Sequence, residues 1–314
     1  MPIRSAVIFA VVAVLALLPV GAVRAETASS VEATFTRSGP WRVTAERAVA
    51  CCDPSGSAYD IWYPTDLGAN GFRHPIITWG NGTWAVPRQY DYLLRHLASW
   101  GFVVIATENS QTGSGREILA AADYLVARDS DPASVFHGKL DTDSIGAMGH
   151  SQGATGVLNA MVASGGRITT AVPVEIVSQL FCVTGWCADS RQLRTGSVFF
   201  VNGSADSVVS PSTQPLPWQL VGLQSVGAYY EAASIPKAWG TLVGPNHNDI
   251  QGQPGCTPEI ELCVEGVHGY LGYPTAWFAA RLLGREDARR AFTTGTGEFY
   301  APNPHWVNQT GAIN

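Results

Sequence analysis

Two hydrophobic rhythms alternate along this chain, and that alternation limits its fold more than any other feature. Short, unbroken apolar runs occur at residues 74–79, 102–107, 144–148, 170–174, 197–201 and 239–243. Runs of this length read as strands buried on both faces. Between them, apolar residues recur at helical spacing: Tyr90, Leu93, Leu94 and Leu97, then Ile118, Ala121, Ala122 and Leu125, then Val157, Leu158, Met161 and Val162. A terminal helix is expected over 275–283. The pattern predicts an α/β fold, with a mostly parallel central β-sheet flanked by helices on both faces. Residues 59–63 read as an antiparallel edge strand. The Gly-, Pro- and Asn-rich tail 291–314 reads as an irregular wrap over the surface.

Of the 314 residues 46% are hydrophobic and 14% charged, which suits one large core and excludes a long disordered tail or a coiled coil. Basic side chains number 19 against 25 acidic ones, and Lys139 and Lys237 are the only lysines, so the basic surface that nucleic-acid binding needs is missing. Residues 1–25 differ in kind. Arg4 precedes an apolar stretch, 6–20, and Val23, Arg24 and Ala25 form a small-residue cleavage pattern, as in a secretory signal peptide. An uncleaved anchor is the alternative, but the stretch falls short of the roughly 20 residues of a membrane span, and none follows. Residues 26–314 are then one domain, expected to be a secreted monomer with no membrane span after processing.

Export makes the six cysteines candidates for disulfides. Cys182 and Cys187 are close enough in sequence to close a small loop, as are Cys256 and Cys263. The adjacent Cys51 and Cys52 either bond each other or reach separate partners. With no CxxC pair, no HExxH and no closely spaced histidines, neither a metal nor an organic cofactor is expected.

The strongest chemical signal is Gly149-His150-Ser151-Gln152-Gly153, a GxSxG placed between a strand pattern and a helix pattern. A serine on such a turn is thrust out of the sheet on a strained backbone, and the flanking glycines permit the close approach. A serine hydroxyl needs a base to take its proton and a carboxylate to orient that base. After the run 197–201 the chain reaches Asp206, and after 239–243 it reaches His247, each on a loop past a strand. That order, Ser, Asp, His, makes Ser151, Asp206 and His247 the candidate catalytic residues. Asp189 and Asp249 are the competing carboxylates and His268 the competing histidine. His74, His96, His137 and His305 read as packing or surface residues, and His150 as a residue lining the cleft or packing beneath it.

An oxyanion formed on such a serine must meet two backbone N–H groups. Gln152 supplies one as the residue after the nucleophile. The glycine-rich turn after the first sheet strand supplies the other at Thr83, with Trp84 the neighbouring choice. Gly80, Gly82 and Ala85 also fit GxGxxA, with Glu108 placed as a ribose-binding acid. Export, the bulky Trp84 and the otherwise unexplained turn at Ser151 weigh against that dinucleotide reading.

These residues resemble the α/β-hydrolases, and within them the secreted bacterial cutinase and polyester-hydrolase group related to dienelactone hydrolases. The stretches that carry the resemblance are LASWGFVVIAT (97–107), IGAMGHSQG (145–153) and LRTGSVFFVNGSAD (193–206). It implies an acyl-enzyme mechanism at Ser151, Asp206 and His247 on an ester substrate that is small, lipid or polymeric. The group's second oxyanion amide follows a Pro-Gly pair, where this chain has Asn81-Gly82-Thr83-Trp84, and Gln152 stands where methionine is common. Trp186 falls near the group's cleft tryptophan, so Trp84, His150 and Trp186 are the candidate substrate-binding residues. Segments 207–238 and 248–273 read as insertions over the cleft. A fold retained without catalysis as a binding protein, a peptidase and an acyltransferase are the alternative functions.

Overall fold

A computed structural model describes residues 30–182, 186–256 and 263–313; the leader expected at 1–25 lies outside them. Nine strands form one sheet: β1 (Val43–Ala50), β2 (Tyr59–Pro64), β3 (His74–Gly80), β4 (Val103–Thr107), β5 (Leu140–His150), β6 (Ile168–Val174), β7 (Ser197–Gly203), β8 (Lys237–Leu242) and β9 (Trp306–Ala312). Their spatial order is β1-β2-β4-β3-β5-β6-β7-β8-β9. Strands β4, β3, β5, β6, β7 and β8 run parallel to their neighbours, whereas β1, β2 and β9 join antiparallel.

Because successive strand residues point to opposite faces, each central strand feeds two cores. Ile77, Trp79, Val104, Val172, Phe199 and Val201 enter one, under α1 (Val31–Thr36), α2 (Asp91–Ser99) and α7 (Gly272–Leu282). Ile76, Val103, Ile105, Ala171, Val198 and Phe200 enter the other, under α3 (Arg116–Ser130), α4 (Gln152–Ala163) and α6 (Val226–Ala232). A short helix, α5 (Trp218–Val221), precedes α6, and α8 (Glu286–Arg289) follows α7. This is the α/β architecture that the sequence pattern predicts, a mostly parallel sheet flanked by helices on both faces, as the resemblance to the α/β-hydrolases implies.

Three expectations are corrected. Residues 59–63 are antiparallel but not at the edge, because β1 covers them, and every residue of β2 is buried. The tail is not an irregular wrap: β9 pairs with β8, and Phe292, Phe299 and Trp306 are buried against Phe199 and Tyr273. The segment 207–238 is largely the crossover from β7 to β8 and not a free insertion. Its α6 packs Val226, Ala228 and Tyr229 into the core beneath the sheet. The cysteines form three local disulfides, Cys51–Cys52, Cys182–Cys187 and Cys256–Cys263.

Candidate active site

In a parallel sheet the carboxyl ends of adjacent strands gather their loops at one edge. Strands β5, β6, β7 and β8 are consecutive neighbours, and the chain leaving them carries Ser151, Glu175, Asp206 and His247 in turn. Ser151 joins β5 to α4 with φ +55° and ψ −121°, a conformation that residues bearing side chains rarely adopt. Its N–H is held 3.0 Å from the Val174 carbonyl. The turn is this tight because α4 begins directly against β3. A Cβ on Gly153 would run into the Gly80 carbonyl, and one on Gly203 into the Pro245 carbonyl, so glycine is what lets these segments converge.

Ser151 Oγ lies 2.8 Å from His247 Nε2, and His247 Nδ1 lies 2.6 Å from Asp206 Oδ2. An ionised carboxylate only accepts, so Nδ1 carries the proton and Nε2 faces the serine as an acceptor. Asp206 is 5% exposed. Burial would raise its pKa, but hydrogen bonds from His247 and from the Ser210 and Val209 amides outweigh that and hold it below the usual aspartate value. The site therefore holds a carboxylate, an oriented imidazole and a hydroxyl in line.

A second chain of bonds fixes the imidazole's backbone. The Gly82 N–H donates to Tyr90 Oη at 3.1 Å, Tyr90 Oη lies 2.9 Å from His150 Nδ1, and His150 Nε2 lies 2.7 Å from the His247 carbonyl. Since that carbonyl only accepts, His150 donates from Nε2 and receives the tyrosine proton at Nδ1. Burial, and then the neighbouring His247, press the His150 pKa well below the ordinary histidine value, so the ring stays neutral as the pattern requires. His150 is thus a support under His247, not a cleft residue: it is 1% exposed and both nitrogens are committed.

Gln152 opens α4, where a backbone N–H has no partner inside the helix. Its side chain anchors the neighbouring loop, accepting from Thr112 N at 3.0 Å and donating to Gln111 Oε1 at 2.9 Å. Across the cleft, Ala85 N bonds the Gly82 carbonyl at 3.1 Å, making Thr83 and Trp84 the central pair of a turn. Trp84 holds φ +63° there and is 81% exposed. The Trp186 indole rests against Gly113 beside the Gln152 stem, and its carbonyl accepts from Asn159 at 3.1 Å.

The family model described as PET hydrolase-like matches residues 19–221. The chain belongs to this family. It is 31% identical to a bis(hydroxyethyl) terephthalate hydrolase of Streptomyces coelicolor over 193 residues, 60% of this chain and 56% of that protein. It is 29% identical over 127 residues to Cutinase 2 of Thermobifida cellulosilytica, 39% of this chain and 46% of that protein. A cutinase of Thermobifida fusca matches equally, over 39% of this chain and 38% of its own length. The chain spans about half the length of the curated relatives it matches. The PET hydrolase-like match contains Ser151 and Asp206 and ends before His247, so the histidine is located by the fold.

The competing residues lie elsewhere. Asp189 pairs with Arg191 at 2.8 Å, and Asp249 accepts backbone N–H groups of Asn246, Val264, Glu265 and Gly266. His268 lines a cavity beside α1 with Glu32 and Arg37. His74 and His96 bond the carbonyls of Gly101 and Phe35 within the fold. Two tight groups of ligand-type atoms exist among the described residues, Glu175–Asp206–His247 and Asp249–Cys256–Cys263. The first has His247 bonded to Asp206 and Ser151, and the second has its sulfurs in a disulfide, so neither offers a free ligand set. Sequence reasoning missed Tyr90, which reads as one more apolar position of a helix, and Glu175. The signal for Glu175 was a carboxylate placed directly after the buried run 170–174.

Proposed function

We propose that the protein is an exported serine carboxylic-ester hydrolase that works through an acyl-enzyme. The observation that carries this reading is the unbroken series from Ser151 Oγ to His247 to Asp206, at 2.8 and 2.6 Å, on a strained turn at the sheet edge. In the reaction, Ser151 Oγ bonds to the ester carbonyl carbon while its proton passes to His247 Nε2. Asp206 stabilises the imidazolium so formed. The amides of Gln152 and Thr83 meet the oxyanion, worth roughly 3–4 kcal/mol of barrier per donor in comparable sites. Collapse expels the alcohol, which takes the proton from His247. Water, activated by the same imidazole, then releases the acid and regenerates the hydroxyl.

The names of the relatives point to terephthalate esters and cutin, and Trp84, exposed on the turn after β3, and Trp186, beside the Gln152 side chain, supply aromatic surface for such groups. Three disulfides and the leader pattern at 1–25 support export, with 26–314 working as one domain. The test is release of p-nitrophenol from esters running from acetate to palmitate, by the parent and by Ser151→Ala. The parent is expected to turn over and the variant to lose about 10⁴-fold or more. Retained hydrolysis in a folded, clean variant would overturn the reading. Soluble acids released from a polyester film extend the substrate to polymers, whereas silence on films with good rates on soluble esters restricts it to small ones.

A further inference from the structure

Glu175 is a buried acid at the sheet edge that the triad chemistry leaves unused. It is fully buried at the carboxyl end of β6, between the strands that carry Ser151 and Asp206. Its backbone holds φ +51°, a strained value for a residue with a side chain, and such strain persists where surroundings over-determine it. Oε1 accepts from Gly203 N at 2.6 Å and from Tyr270 Oη at 2.7 Å. Oε2 is buried with no donor. The carboxyl group also faces the Asp206 carboxylate: oxygens of both acids and a His247 ring nitrogen lie within 4.8 Å of one another.

Two ionised carboxylates cannot share a dry contact without a cation between them. Among the described residues neither lysine nor arginine acts on Glu175, whose surroundings are Asp206, Tyr270 and the Gly203 amide, with His247 and His150 beyond Asp206 and Asp249 beyond Tyr270. One acid must therefore carry a proton. Asp206 is held ionised by His247 and two amides, so the proton belongs on the oxygen of Glu175 that lacks a donor. We propose that Glu175 is a neutral carboxylic acid that donates a hydrogen bond to Asp206, and so acts as a positioning residue for the proposed triad. Through that bond it shares the Asp206 charge and moderates how strongly the carboxylate holds the His247 proton. Burial first, and then Asp206, drive its pKa well above the ordinary glutamate value, in keeping with that state.

This rests on the esterase reading for its kinetic arm only; two of its readouts need no turnover. Glu175→Gln keeps an acceptor for Gly203 and Tyr270 and an N–H donor for Asp206, whereas Glu175→Leu removes both. In the infrared difference between parent and Glu175→Gln at neutral pH, the carbonyl stretch of a protonated carboxyl is expected in the parent alone; its absence would overturn the proposal. The His247 titration, followed by NMR, and the acid limb of kcat/KM are expected to stay in place in Glu175→Gln. In Glu175→Leu both move up by about half a pH unit or more, because a less satisfied Asp206 holds the imidazolium proton harder, and kcat falls about 10-fold with KM little changed. A downward shift in Glu175→Gln means that a negative charge was lost, which contradicts a neutral Glu175. An unmoved titration and kcat in Glu175→Leu would reduce the residue to filler. Should the leucine variant fail to fold, the glutamine variant decides alone.

Discussion

Replacing Glu175 by Gln alters how stability depends on pH, and both sign and size follow from where the proton sits. In the folded protein the buried carboxyl keeps its proton, since burial and Asp206 raise its pKa well above the ordinary value. In the unfolded chain it ionises near pH 4.3. Above that pH and below the folded-state value, the folded state therefore binds one more proton than the unfolded state. Such a group contributes its stability in full at low pH and loses it as pH rises. The linkage slope for one proton is about −1.4 kcal/mol per pH unit. A glutamine side chain does not titrate, so the stability of Glu175→Gln relative to the parent should rise by about 1.4 kcal/mol for each pH unit between the unfolded-chain and folded-state values. Other titrations, including the opposite contribution of Asp206, cancel in the difference. Equilibrium unfolding in urea, with the disulfides kept intact, measures this directly. A constant difference across that range would show that Glu175 is ionised in the folded protein, and the reasoning about the acid pair would fail.

Other substitutions test the framework around the site. Tyr90→Phe removes the hydroxyl that links Gly82 to His150, and should cost about 1–3 kcal/mol in urea unfolding while lowering kcat through a less firmly held His247. A variant with unchanged stability and rate would mean that the bridge carries nothing. Gly153→Ala drives a methyl into the Gly80 carbonyl, so a loss of about 3 kcal/mol or more, or no soluble protein at all, is expected. Trp306→Ala should cost about 3–5 kcal/mol, because the tail strand fills the core beneath Phe199. A loss under about 1 kcal/mol there would make the tail a surface wrap after all.

Much of the central sheet was legible because its strands are buried on both faces and so read as unbroken apolar runs. The edges were not. Strand β2 contains Asp60, which suggests an edge, yet that carboxylate is buried, pairs with Arg47 at 2.7 Å and accepts from Ala48 N at 2.8 Å. In β9 the buried Trp306 is followed by exposed or half-exposed Val307, Asn308, Gln309 and Thr310, so no apolar rhythm marks it as a strand. Ser151, Asp206 and His247 were readable because strand ends can be counted along the chain. The supports behind them were not, since the contacts from Tyr90 to His150 and from Glu175 to Asp206 join residues far apart in sequence. Their roles arise only when four strand ends meet.

The most direct measurement is active-site labelling. The mature protein is treated with a phosphonate ester that phosphonylates activated serines, and the adduct is mapped by peptide mass spectrometry in the parent, Ser151→Ala and His247→Ala. A single adduct on Ser151, absent in Ser151→Ala and slowed by about 10³-fold or more in His247→Ala, is the predicted result. Folded parent protein that takes no label, or takes it on another residue, would contradict a nucleophile at Ser151 activated by His247.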